Sequence, residues 1–403
     1  MMQQALSVKT FTKGLQYYLT DNAFKSVEPE DLYKALQRSV DEDMTKSSLD
    51  IKAIMSSWEL QSGFPLVTVS RDANNVVILT QERFFNGTGK TWWIPINYVV
   101  GSNPNFTSTL PDMWMKGERQ ITFKGTSALK PFTNKDWMIF NIQQTSYYRV
   151  NYDDNLWKLL IAQLNNGFQQ INVVNRAQLI DDSFNLAYAG KINYVIPISI
   201  LQYLVNETDY IPWFAAARHI DLMNQLLTGT PIHSVFQKFT QHIVTALYNK
   251  LGVKVVANEH KLDRYAREIA VHLACQAGMT KCLTDTANEL QNMIKTNTTL
   301  APDVIEPIYC NGLRINDAAF MFLFSKLQRS EREHERRLII EALGCSQNAT
   351  SLSMLMNTAF TPKSPYQFLE KYFILRSVVN NGQLGLNLTM DFITDNSQLM
   401  LNE

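Results

Sequence analysis

No stretch of this sequence is long and apolar enough to cross a bilayer. The most apolar run, residues 194–205, is broken by Pro197 and has the length of a core helix. Net charge is missing too, since 37 Lys and Arg balance 37 Asp and Glu. No overall field therefore favours nucleic acid or an anionic membrane. The first residues lack the basic-then-apolar pattern of a signal peptide, and the tail after Asp395 resembles neither a lipid-anchor signal nor a closing helix. The six histidines, His219, His233, His242, His260, His272 and His334, never fall as His-x-x-x-His. His334-Glu335 begins like a zinc-protease motif, but position 338 is Leu338, so the second ligand is absent. No two cysteines have Cys-x-x-Cys spacing, which argues against zinc fingers and thioredoxin-type redox work. A Gly-x-Ser-x-Gly elbow, a phosphate loop and a dinucleotide fingerprint are all lacking. The residues by themselves thus supply no catalytic group and no metal site.

What is present describes a folded chain of two or more domains: 403 residues, 45% hydrophobic and 18% charged. The first sixty residues read as helices. Phe11, Leu15 and Leu19 share a face, Pro29 suits a first helical turn, and Asp50 suits a cap for Ile51, Ile54, Met55 and Trp58. From Pro65 the period changes to two, giving six or seven short strands over 65–69, 75–83, 91–99, 118–124, 136–141 and 147–152. Residues 72–75 and 86–89 are the turn signals. Short strands with no helix between them predict a small antiparallel β-sandwich. In the strand at 91–99, Trp92 and Trp93 point to opposite faces, so at most one can fill the core.

After Asp153-Asp154, candidate caps, the spacing becomes helical, and Trp157 and Phe184 read as core. Cys275, Cys310, Cys345 and Asn380 are each thirty-five residues apart and each closes an apolar helix. That rhythm is the signature of an α-solenoid of paired helices, as in ARM and HEAT repeats. The fold class is therefore multidomain and mostly α, a small sandwich followed by a large solenoid. The expected divisions are 1–62, a helical end of a preceding domain; 63–152, the sandwich; and 153–403, the helical domain.

The four cysteines permit two disulfides and equally permit four buried thiols. Cys310 and Cys345 hold equivalent places in adjacent repeats and can bridge, and Cys275 and Cys282 can close a short loop. The paired carboxylates Asp153-Asp154 and Asp181-Asp182 read as caps or surface groups, and the mixed run 331–337 as a solvated helical turn. Asn-x-Ser/Thr sequons stand at Asn86, Asn105, Asn206, Asn297, Asn348 and Asn387, about as many as chance gives an Asn-rich chain.

A series of short segments also resembles one family, in order along the chain. They include Trp58-Glu59-Leu60-Gln61-Ser62-Gly63-Phe64-Pro65, Trp93-Ile94-Pro95-Ile96, Tyr148-Arg149-Val150-Asn151-Tyr152-Asp153 and Asn175-Arg176-Ala177-Gln178-Leu179-Ile180-Asp181-Asp182. Tyr210-Ile211-Pro212-Trp213, Ile308-Tyr309-Cys310-Asn311, Ala342-Leu343-Gly344-Cys345 and Val379-Asn380-Asn381-Gly382 continue it. Together they resemble the aminopeptidase N family of zinc exopeptidases, from the end of the catalytic domain through most of the helical domain. The resemblance implies pairing of Cys275 with Cys282 and Cys310 with Cys345, glycosylation, and an extracellular or secreted location. It implies zinc and peptide substrates for the full-length enzyme. The zinc and substrate-amine motifs are absent from this chain, which is expected to bind no catalytic zinc and to cap the active site without cleaving peptide. The alternative is a non-catalytic binding or scaffold protein using the concave face of the repeats. Besides peptide, the expected partners are a second copy in a homodimer or other proteins on a docking surface, with no nucleic acid in either case.

Overall fold

The computed structural model describes residues 1–43, 49–85, 89–124, 130–361 and 364–397. The chain forms two compact units, Met1–Tyr203 and Leu204–Glu403.

The first unit opens with helices α1 (Met2–Leu6), α2 (Val8–Asp21), α3 (Pro29–Asp41) and α4 (Ile51–Glu59). Leu6, Leu36, Val40, Ile51 and Ile54 form their shared core. Pro29 starts α3, where its missing N–H costs nothing. Asp50 caps α4, its Oδ1 accepting from Ala53 N–H at 2.9 Å. Strands β1 (Pro65–Arg71), β2 (Val76–Arg83), β3 (Trp93–Ile96), β4 (Tyr98–Val100), β5 (Met113–Lys116), β6 (Gln120–Lys124), β7 (Met138–Phe140) and β8 (Arg149–Tyr152) follow. One sheet has the order β6-β2-β1-β8, and β3 with β5 and β4 with β7 form two-stranded ladders.

Every pair is antiparallel except β1 with β8, which runs parallel from Leu66↔Arg149 to Val69↔Tyr152. All the other strands lie between these two in sequence, and so long a connection can bring a strand back in either direction. The strand expected over 91–99 is divided at Asn97. Its amide accepts from Ile142 N–H at 2.7 Å and donates to the Thr109 carbonyl at 2.6 Å, so Asn97 ties loops together instead of extending a ladder. β5 was not anticipated, because four residues are too few to declare a period. Trp92 is fully buried and Trp93 half-buried, as their alternation requires. Asp72 forms the first turn, its Oδ1 accepting from Asn74 and Val76 N–H. Of the second turn signal, residues 86–88 lie outside the described residues.

Helices α5 (Asp154–Gly167), α6 (Val173–Tyr188) and α7 (Val195–Leu201) complete this unit. Packing of α5 and α6 on β8 keeps these helices with the sheet. The break between compact units consequently falls fifty residues after the change from strand to helix period.

The second unit contains α8 (Tyr210–Leu227), α9 (His233–Leu251), α10 (Lys261–Gln276), α11 (Thr280–Thr296) and α12 (Ile305–Ile315). It continues with α13 (Phe320–Arg329), α14 (Glu333–Leu343), α15 (Ala349–Ala359), α16 (Phe368–Val379) and α17 (Gly382–Asp395). The even-numbered helices α8 to α16 stack side by side, and the odd-numbered ones pack behind them as hairpin partners. This is the repeat that the thirty-five-residue rhythm predicts. Cys345 and Asn380 lie just past α14 and α16, whereas Cys310 sits within α12 and does not close it. Leu313, Leu323, Ile340, Leu355 and Ile374 belong to one apolar cluster that runs through the last repeats.

The run 331–337 is not simply a solvated turn. Arg336 points inward from α14, donating to Glu370 of α16 at 2.6 and 3.2 Å and to the Leu327 and Ser330 carbonyls. It joins two repeats, a role that alternating charge could not disclose.

Candidate functional site

Within the second unit, residues one helical turn apart on successive inner helices line a groove of about 680 Å³. α10 contributes Glu268, His272 and Gln276, and α12 contributes Glu306, Cys310 and Arg314. Glu341 and Cys345 come from α14 and its end, and Phe373, Arg376 and Asn380 from α16 and its end. Gln225 and Thr228, from the end of α8, complete one side.

The groove concentrates ionisable groups. His272 Nε2 lies 2.8 Å from Asp221 Oδ1 of α8. Burial lowers its proton affinity, but the Asp221 hydrogen bond and charge outweigh that and hold the imidazole above its ordinary pKa. The carboxyls of Glu268 and Glu306 are both raised, chiefly by loss of solvent inside the concavity, with Glu306 acting on Glu268 and Glu341 on Glu306. Burial lowers Arg314. Glu268, His272 and Glu306 still reach water; it is the surrounding walls that thin their solvent, and an exposed carboxyl of this kind contributes little to stability. Alternating acids and bases along four helices can hold the polar groups of an extended chain. The two thiols of the groove are joined to each other.

The structure pairs Cys275 with Cys282 and Cys310 with Cys345, with Cα–Cα distances of 5.2 and 5.1 Å. Sequence reasoning left buried thiols open, and the geometry closes that alternative. The first bond spans the turn between α10 and α11, and the second ties α12 to the end of α14.

A second cluster joins β8 to α6, and here the reading of Asp181-Asp182 as a surface pair is corrected. Arg149 donates to Asp181 Oδ2 at 2.6 Å and to Asp182 Oδ1 at 2.8 Å. Asp182 is only 2% exposed, and its other oxygen accepts from Val150 N–H at 3.1 Å. Gln178 and Asn175 extend the network to the Phe140 and Asn141 carbonyls. Burial pushes the Asp182 carboxyl up to about 6, against the pull of Arg149 and Val150 N–H. These are interlocking structural groups, tying the two family-like segments together. Asp153, by contrast, caps α5 as expected, accepting from Leu156 N–H at 2.9 Å, and Trp157 and Phe184 are core.

The sequons Asn105, Asn206, Asn297, Asn348 and Asn387 are exposed, and Asn86 lies outside the described residues. Asn348 differs from the rest. Its Oδ1 caps α15 and its Nδ2 donates to Asp317 Oδ2 at 3.0 Å.

The histidines do not converge. His219 is buried in α8, His233 contacts Asn224, His260 caps α10 and His272 pairs with Asp221. Among the described residues no three metal-ligating side chains are placed to hold an ion. The described residues thus bring together no donor set that fits a catalytic zinc. No helix among the described residues is long and apolar enough to cross a membrane.

Residues 137–402 match the family model described as the ERAP1-like C-terminal domain, and residues 1–58 match the peptidase family M1 domain. Among curated proteins the chain is 34% identical to an aminopeptidase N of Plutella xylostella, a match that covers 98% of this chain and 42% of that protein. It is 30% identical to the thyrotropin-releasing hormone-degrading ectoenzyme of Rattus norvegicus, over 89% of this chain and 35% of that one. A membrane alanyl aminopeptidase of Heliothis virescens is 28% identical, over 100% and 40% respectively. The chain spans about two-fifths of the length of these relatives.

Proposed function

We propose, from the premise that the chain belongs to the aminopeptidase N family, that its helical unit forms one wall of the peptide chamber of a zinc aminopeptidase whose catalytic residues lie in other polypeptide. The observation that carries this reading is how the matches divide. The peptidase-domain match is confined to residues 1–58, and the match over 137–402 is to the C-terminal helical domain. The chain also contains no His-x-x-x-His pair. On this reading residues 1–62 end the catalytic domain, 63–152 form the β domain and 153–403 the helical domain. In the complete enzyme zinc would activate the attacking water, while the residues of this chain contribute containment. The inner groove receives the body of the peptide, its charged rows engage backbone and side-chain polar groups, and its walls limit water around them.

The purified chain, supplied with zinc, is expected to release no amino acid from a chromogenic amino-acid amide. Zinc-dependent turnover that is abolished by a chelator would overturn the reading.

The two disulfides support an oxidising compartment, so we place the protein outside the cell or on its surface, with N-linked glycans. Asn105, Asn206 and Asn297 are expected to be occupied in protein from a secretory host. Asn348 is expected to be mostly free, because a glycan on Nδ2 displaces the Asp317 bond. Mass spectrometry after deglycosylation in heavy-oxygen water reads each site. Full occupancy at Asn348 together with bare Asn105 and Asn297 would contradict the assignment.

A further inference from the structure

The two disulfides are sheltered very differently. Cys275 and Cys282 are 2% and 0% exposed, and Cys282 Sγ lies 3.3 Å from the Val271 carbonyl in the core between α10 and α11. Cys310 and Cys345 are only half-buried, and both line the 680 Å³ groove. Thiol–disulfide exchange needs an in-line approach of a thiolate to one sulfur, so access governs which bond reacts. A sealed disulfide reacts only after its surroundings open, at a rate set by local or global unfolding.

From this contrast we propose that Cys310–Cys345 is a thiol-modification site, open from the groove to small thiols in the folded protein. The thiolate of a small monothiol attacks Sγ of Cys310 or Cys345. A new sulfur–sulfur bond forms, the Cys310–Cys345 bond breaks, and the other cysteine leaves as a thiolate that takes a proton from water. The product is a mixed disulfide plus one free thiol. A second equivalent of thiol displaces the adduct, leaving both cysteines reduced and two small thiols oxidised to their disulfide, so the electrons balance. The groove is large enough to hold a tripeptide thiol such as glutathione.

The consequences follow from where the bond lies. It ties α12 to the end of α14, and Glu306, Asn311 and Gly344 line the groove around it. An adduct there occupies space that a peptide would use, and loss of the bond frees neighbouring repeats to shift. The remaining helix packing, which includes the Arg336–Glu370 clamp between α14 and α16, stays in place. The site does not depend on the proposed role in the peptide chamber, because its reactivity is a property of this chain alone.

The test treats the folded 403-residue chain with reduced glutathione, quenches with an alkylating reagent and maps each cysteine by mass spectrometry, with and without sub-denaturing urea. Cys310 and Cys345 are expected to react at least about tenfold faster than Cys275 and Cys282. Low urea should leave their rate unchanged while steeply accelerating the sealed pair. C345S, whose Cys310 is then unpaired, should retain one glutathione after incubation with glutathione disulfide. C310S/C345S should retain none, with circular dichroism confirming that both variants are folded. Simultaneous opening of the two disulfides with the same urea dependence, or earlier reaction at Cys275–Cys282, would overturn the proposal.

Discussion

Replacing Arg149 with alanine is expected to destabilise the first unit by about 3–5 kcal/mol, the range for removing one partner of a buried ion pair. The cost arises because Asp182, 2% exposed, loses its counter-ion and must either remain charged without it or take up a proton. Val150 N–H at 3.1 Å cannot compensate alone. Six of the seven tryptophans lie in this unit, at positions 58, 92, 93, 114, 137 and 157, so fluorescence-detected urea unfolding reads it selectively. R149M/D182L removes the buried carboxylate together with its counter-ion and is expected to recover part of the loss. A wild-type midpoint in R149A would refute the account.

The same carboxyl gives a pH signature. Its folded value, about 6, lies above the ordinary 3.8 of an unfolded aspartate. Between these values the folded chain binds the proton and the unfolded chain does not, so acidification through this window adds stability. The increment is fully present below the unfolded value and is lost as pH rises through about 6. D182N should remove this component from the stability–pH curve. If the variant kept an identical curve, the slope would belong to another group.

Gly385→Ala is expected to be the most damaging small substitution in the second unit. A Cβ at Gly385 of α17 would stand 1.8 Å from the Val378 carbonyl oxygen of α16. Alanine ordinarily stabilises a helix interior over glycine by about 0.5–1 kcal/mol. Here the obstacle is backbone, and the two helices must separate. Overpacking of this kind costs about 1–3 kcal/mol and outweighs the propensity gain. Gly344→Ala should behave similarly, because its Cβ would meet the Ser377 carbonyl carbon at 2.6 Å. Gly312→Ala is the internal control. There the nearest atoms, at 2.6 and 3.0 Å, belong to the Leu290 side chain and not to backbone, so the loss should be smaller. Urea unfolding followed by far-ultraviolet circular dichroism orders the three. Equal midpoints for G385A and G312A would show that backbone contact is not the limiting factor.

Several of these features were legible beforehand. Asp50 and Asp153 announced themselves as caps because a cap is read within three residues. Trp157 and Phe184 were legible as core from helical spacing, and the stack of repeats from four equally spaced positions. The two misread charges share one cause. Asp182 and Arg336 look like surface charges along the chain, but Asp182 is buried and Arg336 half-buried against partners thirty-three and thirty-four residues away. The groove was foreseen only as a concave face. Glu268, Glu306 and Glu341 carry no local mark, although their near-repeat spacing of 38 and then 35 residues could have placed them on one surface.

The order of residues alone settled the change from period two to period 3.6, the positions of the caps and the thirty-five-residue repeat. All of these follow from interactions within one turn or one hairpin. Only the folded chain decided that β8 joins β1 in parallel, that Arg149 buries Asp182, and that one disulfide faces an open groove while the other is sealed. Those outcomes depend on which surfaces meet across long separations, where close packing and loss of solvent, and not local preference, set the energy.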